Sequence, residues 1–145
     1  MEGLDRLFSG LRLSSTGMSA ERTRIDTIAE NIAHADVTKM PDGSGPYRRK
    51  VARFDALLEG GGSANSATPS SGVRAKVETD TVTPFEVVHD PGHPDADAEG
   101  NVLFPNVNAT QEMAEMILAM RSYEANLNAQ DTFVKMAERA LKIAQ

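Results

Sequence analysis

The side chains able to do chemistry crowd into one short run. His89, Asp90, His93, Asp95, Asp97 and Glu99 all fall within residues 89–99. Two histidines four apart would share one face of a helix and could clasp a metal, but Pro91, Gly92 and Pro94 between and beside them forbid a helix. The run also lacks the glycine at the sixth place and the glutamate at the twelfth that a calcium loop uses. It therefore reads as a solvated acidic turn. A hydrolytic triad would have to recruit His34, the one histidine outside this run. No nucleophile elbow, phosphate loop or dinucleotide fingerprint is present. The reading is of a chain that is not an enzyme, with no catalytic residue, no cofactor and no metal site. A His/Asp metal module built on His89 and His93 is the rival from another class.

A second cluster, Arg48, Arg49, Lys50 and Arg53, lies beside Tyr47 and Phe54. On a strand these residues would alternate sides, and the chain as a whole carries a net charge of −6. That charge is spread as −2 over residues 1–38, −3 over 39–108 and −1 over 109–145. A nucleic-acid binder draws most of its affinity from a basic face, so nucleic acid is not expected as a partner. The patch reads as a charged outer face meeting an acidic neighbour, with the 90–99 loop of this or another copy as the candidate. No cysteine is present, which excludes disulfides and thiolate metal sites. No run approaches the roughly 18 apolar residues that span a bilayer. Charges scattered from Glu2 to Asp26 leave residues 1–30 without the apolar core of a cleavable signal.

What must position these groups is two long arms. Leu4, Leu11, Met18, Ile25 and Ile32 stand seven apart, with Leu7, Ile28 and Ala35 three places after some of them. Met113, Met120, Leu127, Val134 and Leu141 repeat the rhythm, with Met116, Tyr123, Ala137 and Ala144 three places on. A seven-residue apolar repeat keeps one stripe facing a partner helix. The first arm is expected as a helix from about residue 4 to about 34. Its stripe is broken by Ser14 and Glu21, and Ser14-Ser15-Thr16-Gly17 marks a weak point or kink. The second arm is expected to start at an Asn108 cap, with Gln111 as a loose capping-box partner, and to reach about 50 Å. The methionines read as adaptable packing. Being the two chain ends, the arms would pair antiparallel.

Between them, Pro41–Pro46 is a turn cluster and Tyr47–Phe54 a candidate strand. Residues 59–72 have the composition of a flexible loop. Val73–Thr79 alternates as a half-buried strand, and Phe85–Val88 and Val102–Phe104 are joined as a hairpin by the acidic loop. The fold expected is mainly α with a small β part: paired terminal helices around a small antiparallel β domain. Its divisions are 1–38, 39–108 and 109–145.

Several stretches resemble one known family. Ala29-Glu30-Asn31-Ile32-Ala33-His34-Ala35-Asp36-Val37-Thr38 is similar to the N-terminal signature of flagellar axial proteins, an asparagine-rich run of the form A-N-N-I-A-N-A-N-x-T. Gly45–Lys50, Asp90–Asp97 and Phe104–Asn108 resemble a rod component of that family, and so does the segment from Met113 to Leu141 with Arg121–Asn126. Glu30, His34 and Asp36 depart from the signature's small polar residues. The resemblance implies a structural subunit of the basal-body rod, exported by the flagellar type III apparatus without a cleaved signal. Such a subunit stacks helically, with copies of itself and other rod proteins, into a hollow shaft that crosses the periplasm and transmits torque. Its terminal helices would form the inner tube and its β part would lie outside. The assembly contacts would fall on Leu4, Leu11, Met18, Ile25, Ile28, Asn31, Ile32, Met113, Met116, Met120, Tyr123, Leu127, Val134 and Leu141. A hook or other rod component of the same family is the nearer alternative.

Overall fold

The computed structural model describes the backbone of residues 2–57 and 72–143 and the side chains of 10–57 and 72–142. Helix α1 spans Glu2–Ala33 and helix α2 spans Ala109–Ile143. Strands β1 (Lys50–Leu57), β2 (Gly72–Thr79), β3 (Glu86–His89) and β4 (Asn101–Phe104) lie between them in the chain. The architecture is mainly helical with a small antiparallel β part. That part is two separate two-stranded ribbons, β1 with β2 and β3 with β4. In the first, Lys50 faces Thr79 and Leu57 faces Gly72; in the second, Glu86 faces Phe104 and His89 faces Asn101. The expected loop 59–72 lies outside the described residues except for Gly72, which opens β2 and is buried.

Helix α2 begins as its sequence dictates. The Asn108 side chain accepts the Gln111 amide at 3.0 Å, and the Asn108 carbonyl accepts that of Glu112 at 2.9 Å, which satisfies donors a helix start leaves open. The reciprocal half of a capping box does not form, because the Gln111 amide group donates to Glu115 at 3.2 Å instead.

The two helices pair antiparallel. Gly10 meets Phe133, Gly17 meets Asn126, Arg24 reaches Glu115, and Asn31 bonds Glu112. This seam explains why α1 runs unbroken through Ser14–Gly17, where the sequence suggested a kink. A β-carbon on Gly10 would stand 2.8 Å from the Phe133 ring, and one on Gly17 would stand 3.1 Å from the Asn126 amide. These glycines therefore allow close helix approach rather than marking a bend. Thr16 adds a tie, donating to the Leu13 carbonyl at 2.9 Å and accepting the Val73 amide at 3.2 Å. Ribbon β1–β2 thus lies along the α1 face that carries Thr16, Ala20 and Thr23, with Leu57, Val73 and Ala75 against it.

The second ribbon is set by its loop. Asp90 accepts the Gly92 amide at 3.0 Å, and Asp97 accepts those of Glu99 at 2.9 Å and Asn101 at 2.8 Å. Thr38 donates to Asp95 at 2.7 Å and so moors the loop to the end of the first arm. The acidic side chains are therefore spent on turning the backbone, and Gly100 adopts the positive φ of 81° that closes the turn. Among the described residues no group of three His, Cys, Asp or Glu side chains could hold a metal ion.

Candidate assembly interface

Each helix carries two inner rows that build the seam. On α1 they are Gly10, Gly17, Arg24 and Asn31, beside Ser14, Glu21 and Ile28; all are buried or half-buried. On α2, Ala119 and Glu112 are buried, while Asn126, Phe133, Met116, Tyr123, Gln130 and Ala137 are half-buried. The seven-residue stripes read from the sequence divide between this seam and its flank. Ile28, Met116 and Tyr123 lie in the seam, as does Asn31. Leu11, Met18, Ile25 and Ile32 form the row beside the seam on α1 and are half-buried. Met113, Met120, Leu127, Val134 and Leu141 form the corresponding row on α2, and their exposures run from 43% to 65%. The Leu4 backbone is in α1, but its side chain lies outside the described residues.

The geometry of an antiparallel pair decides where the two flanking rows go. Both sit one residue after an inner row, at equivalent places in the repeat. In antiparallel helices equivalent flanking places fall on the same side of the pair. Leu11, Met18, Ile25 and Ile32 therefore share one face with Met113, Met120, Leu127, Val134 and Leu141. Ribbon β1–β2 covers α1 on its other side. The hairpin thus presents one long, largely uncovered apolar face along about 30 residues of α2, or roughly 45 Å. Soluble monomers rarely leave so long a contiguous apolar surface uncovered.

At the end of the hairpin nearest the β strands, a polar cluster locks the parts together. Asn31 is 1% exposed and uses its whole amide. Its Nδ2 donates to the Lys50 carbonyl at 2.8 Å and to Glu112 at 3.0 Å. Its Oδ1 accepts the Lys50 amide at 2.9 Å and the Tyr47 hydroxyl at 3.0 Å. The side chain so pairs with the edge of β1 as a neighbouring strand would. Arg49 donates to Glu112 at 2.6 Å and to Glu115 at 3.3 Å, while its backbone amide donates to Asn106 at 2.8 Å. The Tyr47 ring stacks on His34 with centroids 4.6 Å apart. Burial, with the charges of Glu30 and Glu112 added, pushes the Tyr47 hydroxyl up to about 12, so it remains a donor throughout the neutral range.

The basic cluster does meet acidic neighbours, but they do not lie in the 90–99 loop. Arg49 turns inward to α2, Lys50 pairs with Glu30, and Arg53 pairs with Glu78 at 3.0 Å. Arg48 donates to the Asp80 carbonyl at 3.2 Å and lies 4.2 Å over the Phe85 ring. The sequence offered little sign of this cluster. Glu112 looks like any acid in the first turn of a helix, where the helix dipole favours it. Only its place on the row of Ala119, Asn126 and Phe133 marks it as inward.

Glu21 is the opposite case, a carboxyl held in the seam with its Oε2 buried and unpartnered among the described residues. Desolvation raises its pKa above the ordinary 4.5, and Arg24 offsets this only in part. A group with a raised folded-state pKa contributes its full stability below the unfolded value, and that contribution is lost as pH rises through the folded one. Relative to Glu21→Gln, the native chain is thus expected to lose stability as pH rises from about 4.5. Urea midpoints of the two chains between pH 4 and about 7 check this. A constant difference across that range would contradict it.

Comparison with known proteins fits this arrangement. A family model described as flagella basal body rod protein matches residues 11–39. Another, flagellar basal body rod FlgEFG protein C-terminal, matches residues 98–143. These two segments hold most of the described part of the helix pair. The flagellar basal-body rod protein FlgC of Borreliella burgdorferi is 39% identical over 96% of this chain and 98% of its own length. The chain belongs to the FlgC family of flagellar basal-body rod proteins. FlgC of Bacillus subtilis is 34% identical over 95% of this chain, and that of Agrobacterium fabrum 40% identical over 86%. FlgC family membership makes the chain a structural subunit of the flagellar basal-body rod. Asn31, on the resembling signature, is the residue that ties α1 to both β1 and α2.

Proposed function

We propose that the uncovered face of the helix pair is the contact through which this rod subunit assembles helically with copies of itself and with other rod proteins. The observation that carries this reading is the placement of the two apolar flanking rows on one side, with Met113, Met120, Leu127, Val134 and Leu141 left exposed. In a rod wall each helix would then touch its partner through the small and polar seam and its neighbours through the apolar rows. Residues 1–38 and 109–145 would act as the inner-tube part of a hollow drive shaft, with 39–108 outside. The shaft would transmit torque and pass exported subunits. The polar cluster around Asn31 and Glu112 suits the torque role, because saturated buried hydrogen bonds fix one geometry.

The same reading has the chain leave the cell through the flagellar type III export apparatus without a cleaved signal and act where the rod crosses the periplasm. Among the described residues the large side chains that are fully buried are few, with Glu112, Val102 and Asn31 among them. So thin a core suits a chain that is easily unfolded to pass an export channel before it assembles. Deleting the gene should abolish motility and leave basal bodies without a complete rod in electron micrographs. Complete rods in the deletion strain would overturn the proposal.

A further inference from the structure

The assembly row opens with two thioethers. Met113 is 54% exposed and Met120 46%, one on either side of Ile117. Met116 lies between them in sequence but turns into the seam and is half-buried. We propose that Met113 and Met120 are an oxidation site whose conversion to the sulfoxide blocks assembly of this chain, with hydrogen peroxide or a related hydroperoxide as oxidant. The inference rests on the assembly role given above.

The chemistry is closed. A sulfur lone pair attacks one peroxide oxygen, the O–O bond breaks and the sulfur–oxygen bond forms; the proton on that oxygen passes to the departing one, which leaves as water from hydrogen peroxide or as an alcohol from a hydroperoxide. Sulfur is oxidised by two electrons and the peroxide is reduced by two. The product replaces a soft apolar side chain with a polar, chiral one. In the dispersed chain the sulfoxide stays in water at little cost. Within a closed apolar contact it must shed that water without a partner. Oxidation therefore leaves the free subunit folded and acts on association. Once a neighbour covers the row, both sulfurs are shielded. The reaction is reversible by sulfoxide reductases, so it is a switch on unassembled subunits. Met136 is 43% exposed but sits on the other flank of α2, and so provides an internal contrast.

The test uses the full chain treated with hydrogen peroxide, peptide mass spectrometry to place the added oxygen, and sedimentation to measure assembly. Met113 and Met120 should oxidise ahead of Met116, and the sedimented fraction should fall at least about tenfold. In a Met18→Leu background, which removes the half-buried thioether on the same face, the chain carrying Met113→Leu and Met120→Leu should assemble equally with and without peroxide, while Met136→Leu should stay sensitive. If the double variant assembles untreated but loses assembly after peroxide as the native chain does, the oxidation proposal is overturned and the assembly reading stands. Oxidation of Met116 first would also overturn it. Failure of the untreated native chain to assemble would overturn the assembly reading and this proposal with it.

Discussion

Asn31→Leu is expected to destabilise the free chain by about 3–5 kcal/mol, because four groups lose a partner at once. The Lys50 amide and carbonyl, the Tyr47 hydroxyl and the Glu112 carboxylate all depend on this one amide. Each buried group left unmatched costs about 1–3 kcal/mol, and some of the four would recover water. Leucine fills similar space, so the loss measures hydrogen bonding rather than a cavity. Against a total stability of about 5–15 kcal/mol for an ordinary domain, such a loss would leave much of this chain unfolded at 37 °C. Tyr47→Phe removes one of the four bonds and should cost about 1 kcal/mol. Urea denaturation followed by circular dichroism gives both numbers. Equal, small effects for the two variants would show that Asn31 is not the tie between helix and strand.

Leu127→Asp should have the opposite profile. Leu127 is 43% exposed in the free chain, so a charge there can stay in water, and surface changes of this kind usually fall within about 0.5 kcal/mol. In the assembled rod the same carboxylate would be desolvated in an apolar contact, at a cost of several kcal/mol for each subunit contact. Repeated along a helical assembly, that penalty should stop rod growth. The expected result is an unchanged thermal midpoint and helix content together with loss of motility. The neighbouring Asn126 makes a demanding control. It faces Gly17 across the seam, so Asn126→Leu should disturb the free chain first. A motile strain carrying Leu127→Asp would count decisively against the outer row as a contact.

The helices, their antiparallel pairing and the Asn108 cap could be read from periodicity and capping chemistry alone. The seam could not. Apolar periodicity points to the most apolar rows, and in this chain those lie beside the contact rather than in it. The rows that do meet carry Gly10, Gly17, Asn126, Glu112 and Asn31, small or polar residues that no hydrophobic pattern selects. Ile28 of the first stripe and Met116, Tyr123 and Ala137 of the second lie at the seam, while the rows beside them are half-buried on α1 and exposed on α2. Glycine in a helix reads as weakness until its partner, here the Phe133 ring, is known. The basic cluster was misplaced for a related reason. Its partners Glu30, Glu78, Glu112 and Glu115 are scattered along the sequence and converge only in three dimensions. The acidic run at 89–99 was legible as a turn, since proline and glycine punctuate it whatever surrounds them.

Whether neighbouring subunits cover the Met113–Leu141 row in the rod can be measured directly, because the chain has no native cysteine. A Leu127→Cys chain that supports motility would be labelled with a water-soluble maleimide twice, once dispersed and once in purified basal bodies. Fast labelling is expected for the dispersed chain and protection of at least about tenfold in the rod, as burial at a close-packed contact requires. Equal labelling in both states would contradict it.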